Sequence, residues 1–269
     1  MASGPTIAVR CDPPTDADLL AAARRLAADL DLALHLPGAA ADCDFLLTVT
    51  PARLELRQIA GDPATRGGRA VYVDLLKVDA TSAAGRTARQ PLAKAIGKKH
   101  QGDRLTTVID ATAGYGEDAW LLARLGYDVL GIERNPAVAA LLRDGVSRAA
   151  DRHPKAAGRL RVICGNAWNV NDFERSQRPD VVYLDPMFPA LPGVGRKAAE
   201  SKRMRILRQL VGDDTDASQL FDWAMRTATR RVVVKRPLKA PPLTDLRTAA
   251  THKGKAVRWD VYLPLSRRT

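Results

Sequence analysis

The residues best suited to chemistry lie in a segment that reads VVYLDPMFP, residues 181–189. An apolar run ends there in Asp185 and Pro186, followed by Phe188. A carboxylate and a backbone carbonyl can accept the two N–H groups of a planar amine, while an aromatic ring stacks on its base. Because the lone pair of an exocyclic amine is delocalised, such an amine needs this positioning in order to react. The segment predicts chemistry on a nucleobase amine; the alternative is a strand followed by a proline-stiffened loop.

A second group of acids and glycines follows another short apolar run. This run ends at Asp110, and Gly114 and Gly116 allow a sharp turn before a predicted helix. In a dinucleotide site, the free N–H groups of such a helix would hold pyrophosphate. Here Asp110, Glu117 and Asp118 surround the loop, and three carboxylates oppose phosphate. We expect a ligand with an ammonium group and hydroxyls, such as S-adenosylmethionine; otherwise the glycines form only a turn.

Glu133 closes the next predicted strand, 23 residues after Asp110. An acid at this place can accept hydrogen bonds from both ribose hydroxyls of a nucleoside. The glycine pair alone is a weak signal, but the order strand, Asp, glycines, helix, strand and Glu favours a nucleoside cofactor. A dinucleotide-dependent oxidoreductase is a less favoured alternative, because the loop lacks the third glycine of that fingerprint.

The positive charge of the chain is concentrated in its last third. The 269 residues carry a net charge of +12. Residues 1–185 hold 24 basic and 23 acidic side chains, whereas residues 186–269 hold 18 basic and 7 acidic ones. Such an excess favours a polyanionic partner, because cations that neutralise phosphates release counterions; the alternative is a well-solvated surface. The candidate RNA-binding residues are Arg196, Lys197, Lys202, Arg203, Lys235 and Arg236.

The second part of the chain alternates short apolar runs with helical patterns. Because this alternation is typical of parallel βαβ units, we expect an α/β fold with a Rossmann-like doubly wound sheet over residues 104–269. The carboxyl ends of its strands, which carry Asp110, Glu133 and Asp185, would meet at one crevice. The predicted strands are 107–109, 129–132, 160–164, 181–184, 231–235 and 256–262, and the predicted helices are 119–125, 136–147, 203–211 and 220–227.

The sequence predicts a smaller N-terminal α+β domain over residues 1–103. Apolar residues recur at spacings of three and four in its first helical stretch, where Asp16 can cap the helix. Short apolar runs separated by Pro and Gly follow, and they indicate a small antiparallel sheet. The predicted elements are a helix at 16–33, strands at 45–49, 54–59 and 70–76, and a helix at 91–97. The domain boundary is expected near residues 102 and 103.

Cysteine and histidine usage indicates neither a disulfide framework nor a metal site. Three cysteines and four histidines are dispersed along the chain, and no CxxC spacing occurs. No apolar run approaches the roughly 18 residues that a membrane span needs. The first residues lack the basic-then-apolar pattern of a signal peptide. We therefore expect a cytoplasmic protein that uses no metal and has no membrane partner.

Several long segments together resemble one enzyme family. The segments are residues 107–148, VVYLDPMFP, ESKRMRILRQLVGDD, RRVVVKRP and KGKAVRWDVY, with LLTVTPARLELR and RTARQPLAKAIG in the first part of the chain. They are similar to the ribosomal RNA small subunit methyltransferase J family over about residues 45–263. The resemblance implies a class I S-adenosylmethionine-dependent methyltransferase fold. It also implies methyl transfer to the N2 of a guanine near the 3′ end of 16S rRNA, with that RNA or the small ribosomal subunit as partner.

The resemblance also implies which residues contact the cofactor. They are Glu117 and Asp118, Glu133 and Arg134, Asn166 and Ala167, and Asp185. Glu117 departs from the family pattern, since an Arg is expected there, and Asn166-Ala167 replaces a Ser-Ser pair. The Asn166 amide can still hydrogen-bond adenine, whereas Ala167 contributes only its backbone or its packing.

Two alternatives share much of this reasoning. Methylation of another nucleic acid, such as a tRNA guanine or the N6 of a DNA adenine, uses the same amine chemistry. A non-catalytic RNA-binding factor in ribosome assembly could retain a relic cofactor pocket and bind the cofactor without turnover. The acids and glycines kept in both motifs argue against the relic.

Overall fold

The computed structural model describes residues 5–36, 38, 42–61, 65, 66, 68–78, 91–97, 106–169, 178–187, 201–212 and 215–264. In these ranges the chain forms two β-sheets with helices packed on them. The first sheet uses residues before position 59, and the second uses residues after position 106.

The first sheet has four strands in the order β2-β1-β3-β4. They are β1 (Ile7–Cys11), β2 (Ala33–Leu34), β3 (Phe45–Val49) and β4 (Leu54–Gln58), and helix α1 (Ala17–Leu30) links β1 to β2. As predicted, Asp16 caps α1 by accepting hydrogen bonds from the amides of Asp18 and Leu19. The predicted antiparallel pairing of the runs at 45–49 and 54–59 is confirmed by β3 and β4. Strands β1 and β2 were not predicted, and they add parallel pairs: α1 is a crossover that makes β1 parallel to β2, and β1 is also parallel to β3.

The second sheet has seven strands in the order β10-β11-β9-β8-β5-β6-β7. They are β5 (Thr107–Asp110), β6 (Asp128–Glu133), β7 (Leu160–Cys164), β8 (Val181–Leu184), β9 (Arg231–Pro237), β10 (Ala250–Lys253) and β11 (Val257–Tyr262). Strands β5 to β9 are parallel to their neighbours among themselves, whereas β11 is antiparallel to both β9 and β10. The strand order reverses between β5 and β8, the point at which doubly wound sheets bind ligands. The predicted α/β fold is confirmed.

Five helices of the second part are described, and side chains cap two of these helices. The five are α3 (Glu117–Arg124), α4 (Pro136–Ala150), α5 (Pro154–Ala157), α6 (Lys202–Val211) and α7 (Ala217–Thr227), after the short helix α2 at 91–96. The capped helices are α4 and α6. Asn135 caps α4 by accepting hydrogen bonds from the amides of Ala137 and Val138, with Pro136 at the first helical position. Because α4 begins directly after Asn135, Glu133 lies at the end of β6, two residues before the cap. Within the described ranges, no helix is long and apolar enough to cross a membrane.

The strand predicted at 70–76 is wrong. Val71 forms a β-bridge with Leu56, and the segment then turns into a 3-10 helix at Leu75–Lys77. The alternating apolar residues are buried against α4 instead: a Cβ added at Gly145 would lie 2.5 Å from Cγ1 of Val73. Helix packing thus explains a pattern that otherwise indicates a strand.

One hydrophobic core joins the two sheets. It contains Val9 and Leu47 of the first sheet together with Val108 and Trp120 of the second part. The predicted boundary near residues 102 and 103 lies outside the described residues, so the division into domains 1–103 and 104–269 stays a prediction.

Candidate active site

Two glycines shape the loop between β5 and α3. Gly114 and Gly116 have φ angles of +52° and +75°, a backbone region that favours glycine. A side chain at Gly116 would also meet α4, since an added Cβ would lie 2.2 Å from Cδ1 of Leu142. The Gly114 amide donates to Oε2 of Glu133 at 2.9 Å. The loop is therefore held against the carboxyl end of β6.

Glu133 connects the glycine loop to the start of α4. It is 4% exposed, and its Oε1 accepts a hydrogen bond of 2.7 Å from the Asn135 amide. The predicted bond to ribose hydroxyls stays a prediction.

A lysine joins two carboxylates at the carboxyl ends of the strands. Lys235 Nζ lies 2.8 Å from Oδ2 of Asp118 and 2.9 Å from Oδ2 of Asp185. Burial lowers the pKa of Lys235, but the two carboxylate charges outweigh it and raise the pKa above its ordinary value. The Tyr183 hydroxyl donates to the same Asp118 oxygen at 2.6 Å. Burial and the neighbouring acids raise the pKa of Tyr183 well above its ordinary value, so it remains a neutral donor.

Asp110 lies beneath the glycine loop. It is 2% exposed, and its Oδ1 accepts a hydrogen bond of 3.1 Å from the Thr112 amide. Burial is the main cause that raises the pKa of Asp110 to about 8, and the charge of Asp118 is the second. The carboxyl is therefore mostly neutral at pH 7. It supports the loop backbone, and its direct contact with a cofactor stays a prediction.

Asp185 and Pro186 stand directly after β8, beside the glycine loop. The Asp185 amide donates to Oγ1 of Thr112 at 2.7 Å, which ties the end of β8 to the end of β5. The Asp185 side chain is 41% exposed, whereas Pro186 is buried. Phe188 lies outside the described residues, so its stacking on a base stays a prediction.

The two cations on β9 both contact oxygen atoms of the protein. The Lys235 ammonium is engaged by carboxylates inside the site. Arg236, on the opposite face of the strand, is 5% exposed and donates to the Pro241 carbonyl oxygen at 2.6 and 3.1 Å. Both cations thus have partners within the protein, and their contacts with RNA phosphates stay a prediction.

Lys202 and Arg203 begin α6 beside the N-terminus of α3. Arg203 pairs with Glu117, and its guanidinium carbon lies 4.3 Å from the centroid of the Tyr115 ring. Lys202 Nζ donates to the Arg69 carbonyl oxygen at 3.2 Å. Their contacts with RNA stay predictions, and the predicted RNA contacts Arg196 and Lys197 lie outside the described residues.

The remaining predicted cofactor contacts surround the ends of β6 and β7. Arg134 forms an ion pair with Asp216 at 3.1 Å and donates to the Val211 carbonyl oxygen, so it links β6 to the end of α6 and the start of α7. Asn166 is half-buried, and Ala167 is 3% exposed within an apolar cluster. The Ala167 side chain therefore packs in this apolar cluster.

The donor set suits a cationic nucleoside ligand. The carboxylates of Asp118 and Asp185 share Lys235, and Glu133 accepts a hydrogen bond from the Gly114 amide, so acids flank the glycine loop. Carboxylates accept hydrogen bonds from hydroxyls and ammonium groups. Sequence reasoning missed Thr112, Tyr183 and the bridging role of Lys235. Within the described residues, no group of three or more side chains is arranged to hold a metal ion.

Known proteins are similar to this chain in sequence and fold. A family model of SAM-dependent methyltransferases matches residues 27–264. Ribosomal RNA small subunit methyltransferase J of Pseudomonas syringae pv. syringae is 42% identical over 231 residues, covering 85% of this chain and 83% of that protein. The protein of the same name from Aeromonas salmonicida is 43% identical, covering 81% and 86%. A SAM-dependent methyltransferase structure from Neisseria gonorrhoeae superposes with a TM-score of 0.69 at 30% identity, covering 97% and 96%.

Proposed function

Because the chain belongs to the ribosomal RNA small subunit methyltransferase J family of S-adenosylmethionine-dependent methyltransferases, we propose that it methylates the exocyclic N2 of a guanine in 16S rRNA. The observation that carries this proposal is the setting of Asp185. Its carboxylate lies at the switch point of the sheet, held by Lys235 at 2.9 Å and tied through its amide to Thr112. A fixed acceptor beside the cofactor loop is what a weakly nucleophilic amine requires.

S-adenosylmethionine supplies a methyl group bound to a positively charged sulfonium. We propose that the Gly114–Gly116 loop and the N-terminus of α3 bind its polar end and that Glu133 binds the ribose. Asp118 and Asp185 add negative charge, which suits a cationic ligand. The other proposed contacts are Glu117, Arg134, Asn166 and Ala167, with Asp110 acting beneath the loop.

Asp185 and Pro186 orient the amine. The Asp185 carboxylate and the Pro186 carbonyl each accept one N–H of the guanine amine, which directs the nitrogen lone pair toward the methyl group. Phe188 stacks on the extruded base. Lys235 donates to Oδ2 of Asp185 and so keeps this carboxylate in one orientation.

A proton must leave the amine as the new N–C bond forms and the bond between the methyl group and the sulfonium breaks, which leaves S-adenosylhomocysteine. The nitrogen becomes positively charged at that stage, and its acidity rises, so a base is needed only late. Asp185 is the candidate acceptor, and water is the alternative, because the Asp185 side chain is 41% exposed.

Methyl transfer from labelled S-adenosylmethionine tests the proposal. The acceptors are unmethylated 16S rRNA, small subunits lacking their own methylation, tRNA and DNA, with nucleoside analysis of the product. We expect N2-methylguanosine from the 16S rRNA or the subunit, consistent with a cytoplasmic protein. Label in tRNA or DNA would contradict the rRNA assignment, and cofactor binding without turnover would identify a non-catalytic factor.

Asp185→Ala is the matching variant. We expect methyl transfer to fall by at least about 100-fold, because the amine loses its acceptor, while calorimetry detects continued binding of S-adenosylmethionine. Unchanged turnover would refute the role of Asp185.

A further inference from the structure

Three exposed lysines lie on the loops that connect β9, β10 and β11. The connection from β9 to β10 carries Lys239, Lys253 is the last residue of β10, and Lys255 lies in the turn that leads to β11. Within the described part of the chain, none of the three forms an ion pair. Residues 238–256 contain a single carboxylate, that of Asp245. We call these three lysines the basic rim.

Two arginines of the strands hold the loop that carries Lys239. Nη1 of Arg258 lies within hydrogen-bonding distance of three backbone carbonyl oxygens, at 3.0, 2.9 and 2.8 Å, those of Pro237, Leu238 and Ala240. Arg236 donates to the next carbonyl oxygen, that of Pro241. Asp260 orients the Arg258 guanidinium, with Oδ2 2.9 Å from Nε. The backbone on both sides of Lys239 is therefore fixed, while its side chain stays exposed.

Backbone hydrogen bonds close the second loop and join it to the first. The Gly254 amide donates to the Val257 carbonyl oxygen at 2.8 Å, which closes the turn from β10 to β11. The Leu238 amide donates to the Ala256 carbonyl oxygen at 3.2 Å, and each of these two residues adjoins a lysine of the basic rim. The three lysines therefore belong to one ordered surface.

The basic rim lies at the same edge of the sheet as Asp185. Strand pairing aligns Lys253 of β10 with Arg258 of β11. Arg258 is in turn aligned with Arg236 of β9, the residue that follows Lys235. Neighbouring strands are about 4.8 Å apart, so Lys253 lies about 10 Å from this end of β9. Since Lys235 contacts Asp185 at 2.9 Å, the rim continues the edge of the sheet outward from the proposed site of methyl transfer.

Exposed lysines on a fixed backbone suit phosphate contacts, which position a nucleic acid without reading its sequence. We propose that the basic rim binds phosphates of the RNA strand that flanks the target guanine. The inference rests on the proposed function, which supplies RNA as the substrate and Asp185 as the acceptor of the amine. The rim also accounts for part of the positive charge in the last third of the chain, where Lys235 and Arg236 contact protein oxygens.

Equilibrium binding of unmethylated 16S rRNA, measured at several salt concentrations, tests the rim independently of turnover. For Lys253→Ala with Lys255→Ala, we expect about tenfold weaker binding and a decrease of about 1–2 in the slope of log K against log salt concentration. Adding Lys239→Ala should decrease the slope by about 0.7 more. The matched control is Arg152→Ala with Lys155→Ala, which removes two exposed cations before the start of β7, at the opposite edge of the same sheet. This pair should keep the affinity and the slope of the wild type.

S-adenosylmethionine affinity and the melting temperature should be unchanged in all these variants, because each replaced side chain is exposed. Equal losses for the rim and control pairs, an unchanged slope for the rim pair, or no RNA binding by the wild type would overturn the inference. A rim that serves an acidic protein partner would give the unchanged slope. RNA binding with the expected variant effects but without methyl transfer would contradict only the proposed function, whereas methyl transfer to 16S rRNA with equal losses would overturn only the inference.

Discussion

Replacement of Asp110 by Asn should make the protein more stable in alkaline solution. The pKa of Asp110 is about 8 in the folded chain, whereas an unfolded Asp titrates near 3.9. Between these values the folded state binds more protons, so its stability falls as pH rises. Each pH unit costs about 1.4 kcal/mol, and from pH 5 to pH 8 the wild type should lose about 3–4 kcal/mol that an Asn would not lose.

Urea unfolding between pH 5 and pH 8 measures this difference. Asn keeps the Oδ1 that accepts from the Thr112 amide, so the loop geometry is preserved. The unfolding midpoints of variant and wild type should diverge by about 1 M urea or more toward pH 8. Asp222→Asn, on the exposed side of α7, is the control and should follow the wild type. Parallel curves for wild type and Asp110→Asn would refute the argument, since Asp110 would then be ionised across the whole range.

Two further substitutions probe the site. Lys235→Met should lower the free energy of unfolding by about 1–3 kcal/mol, measured in urea. The loss should be smaller than for a fully buried ion pair, because the carboxylate partners are 26% and 41% exposed. Lys235→Arg should lose less stability than Lys235→Met. Gly116→Ala should lower both the melting temperature and S-adenosylmethionine affinity more than Gly212→Ala. Both glycines have φ near +75°, but an added Cβ has no neighbour within 4 Å at Gly212. Equal effects of the two substitutions would contradict the prediction that a side chain at Gly116 clashes with its neighbours.

The second sheet is predictable because most of its strands are buried apolar runs. Val181–Leu184 is buried throughout, and it begins and ends at the predicted residues. Leu160–Cys164 also begins and ends as predicted, although only Leu160 of this edge strand is buried. Parallel strands covered on both faces keep such runs, and polar or glycine residues mark their ends. Strand β10 reads ATHK and alternates between half-buried and exposed residues at the sheet edge, so it carries little apolar signal.

The first sheet is harder to predict because its pairing is not local. β1 pairs with β3 across more than thirty residues, from Ile7 with Phe45 to Cys11 with Val49. β2 contains only two residues, too few for a periodic pattern. The alternation of apolar residues around Val73 arises because an irregular segment packs on α4. A periodic pattern of apolar residues indicates which side chains are buried, but it does not identify the element against which they pack.

The position of Lys235 follows from strand order and electrostatics together. It is 117 residues from Asp118 and 50 from Asp185, so the ion pairs depend on β9 lying next to β8. A lysine after an apolar strand is equally compatible with an external phosphate and an internal carboxylate. Acids that converge at one crevice repel each other, and a buried cation relieves that repulsion. Where a sequence predicts several acids at neighbouring strand ends, a lysine at the end of an adjacent strand should therefore first be assigned to those acids.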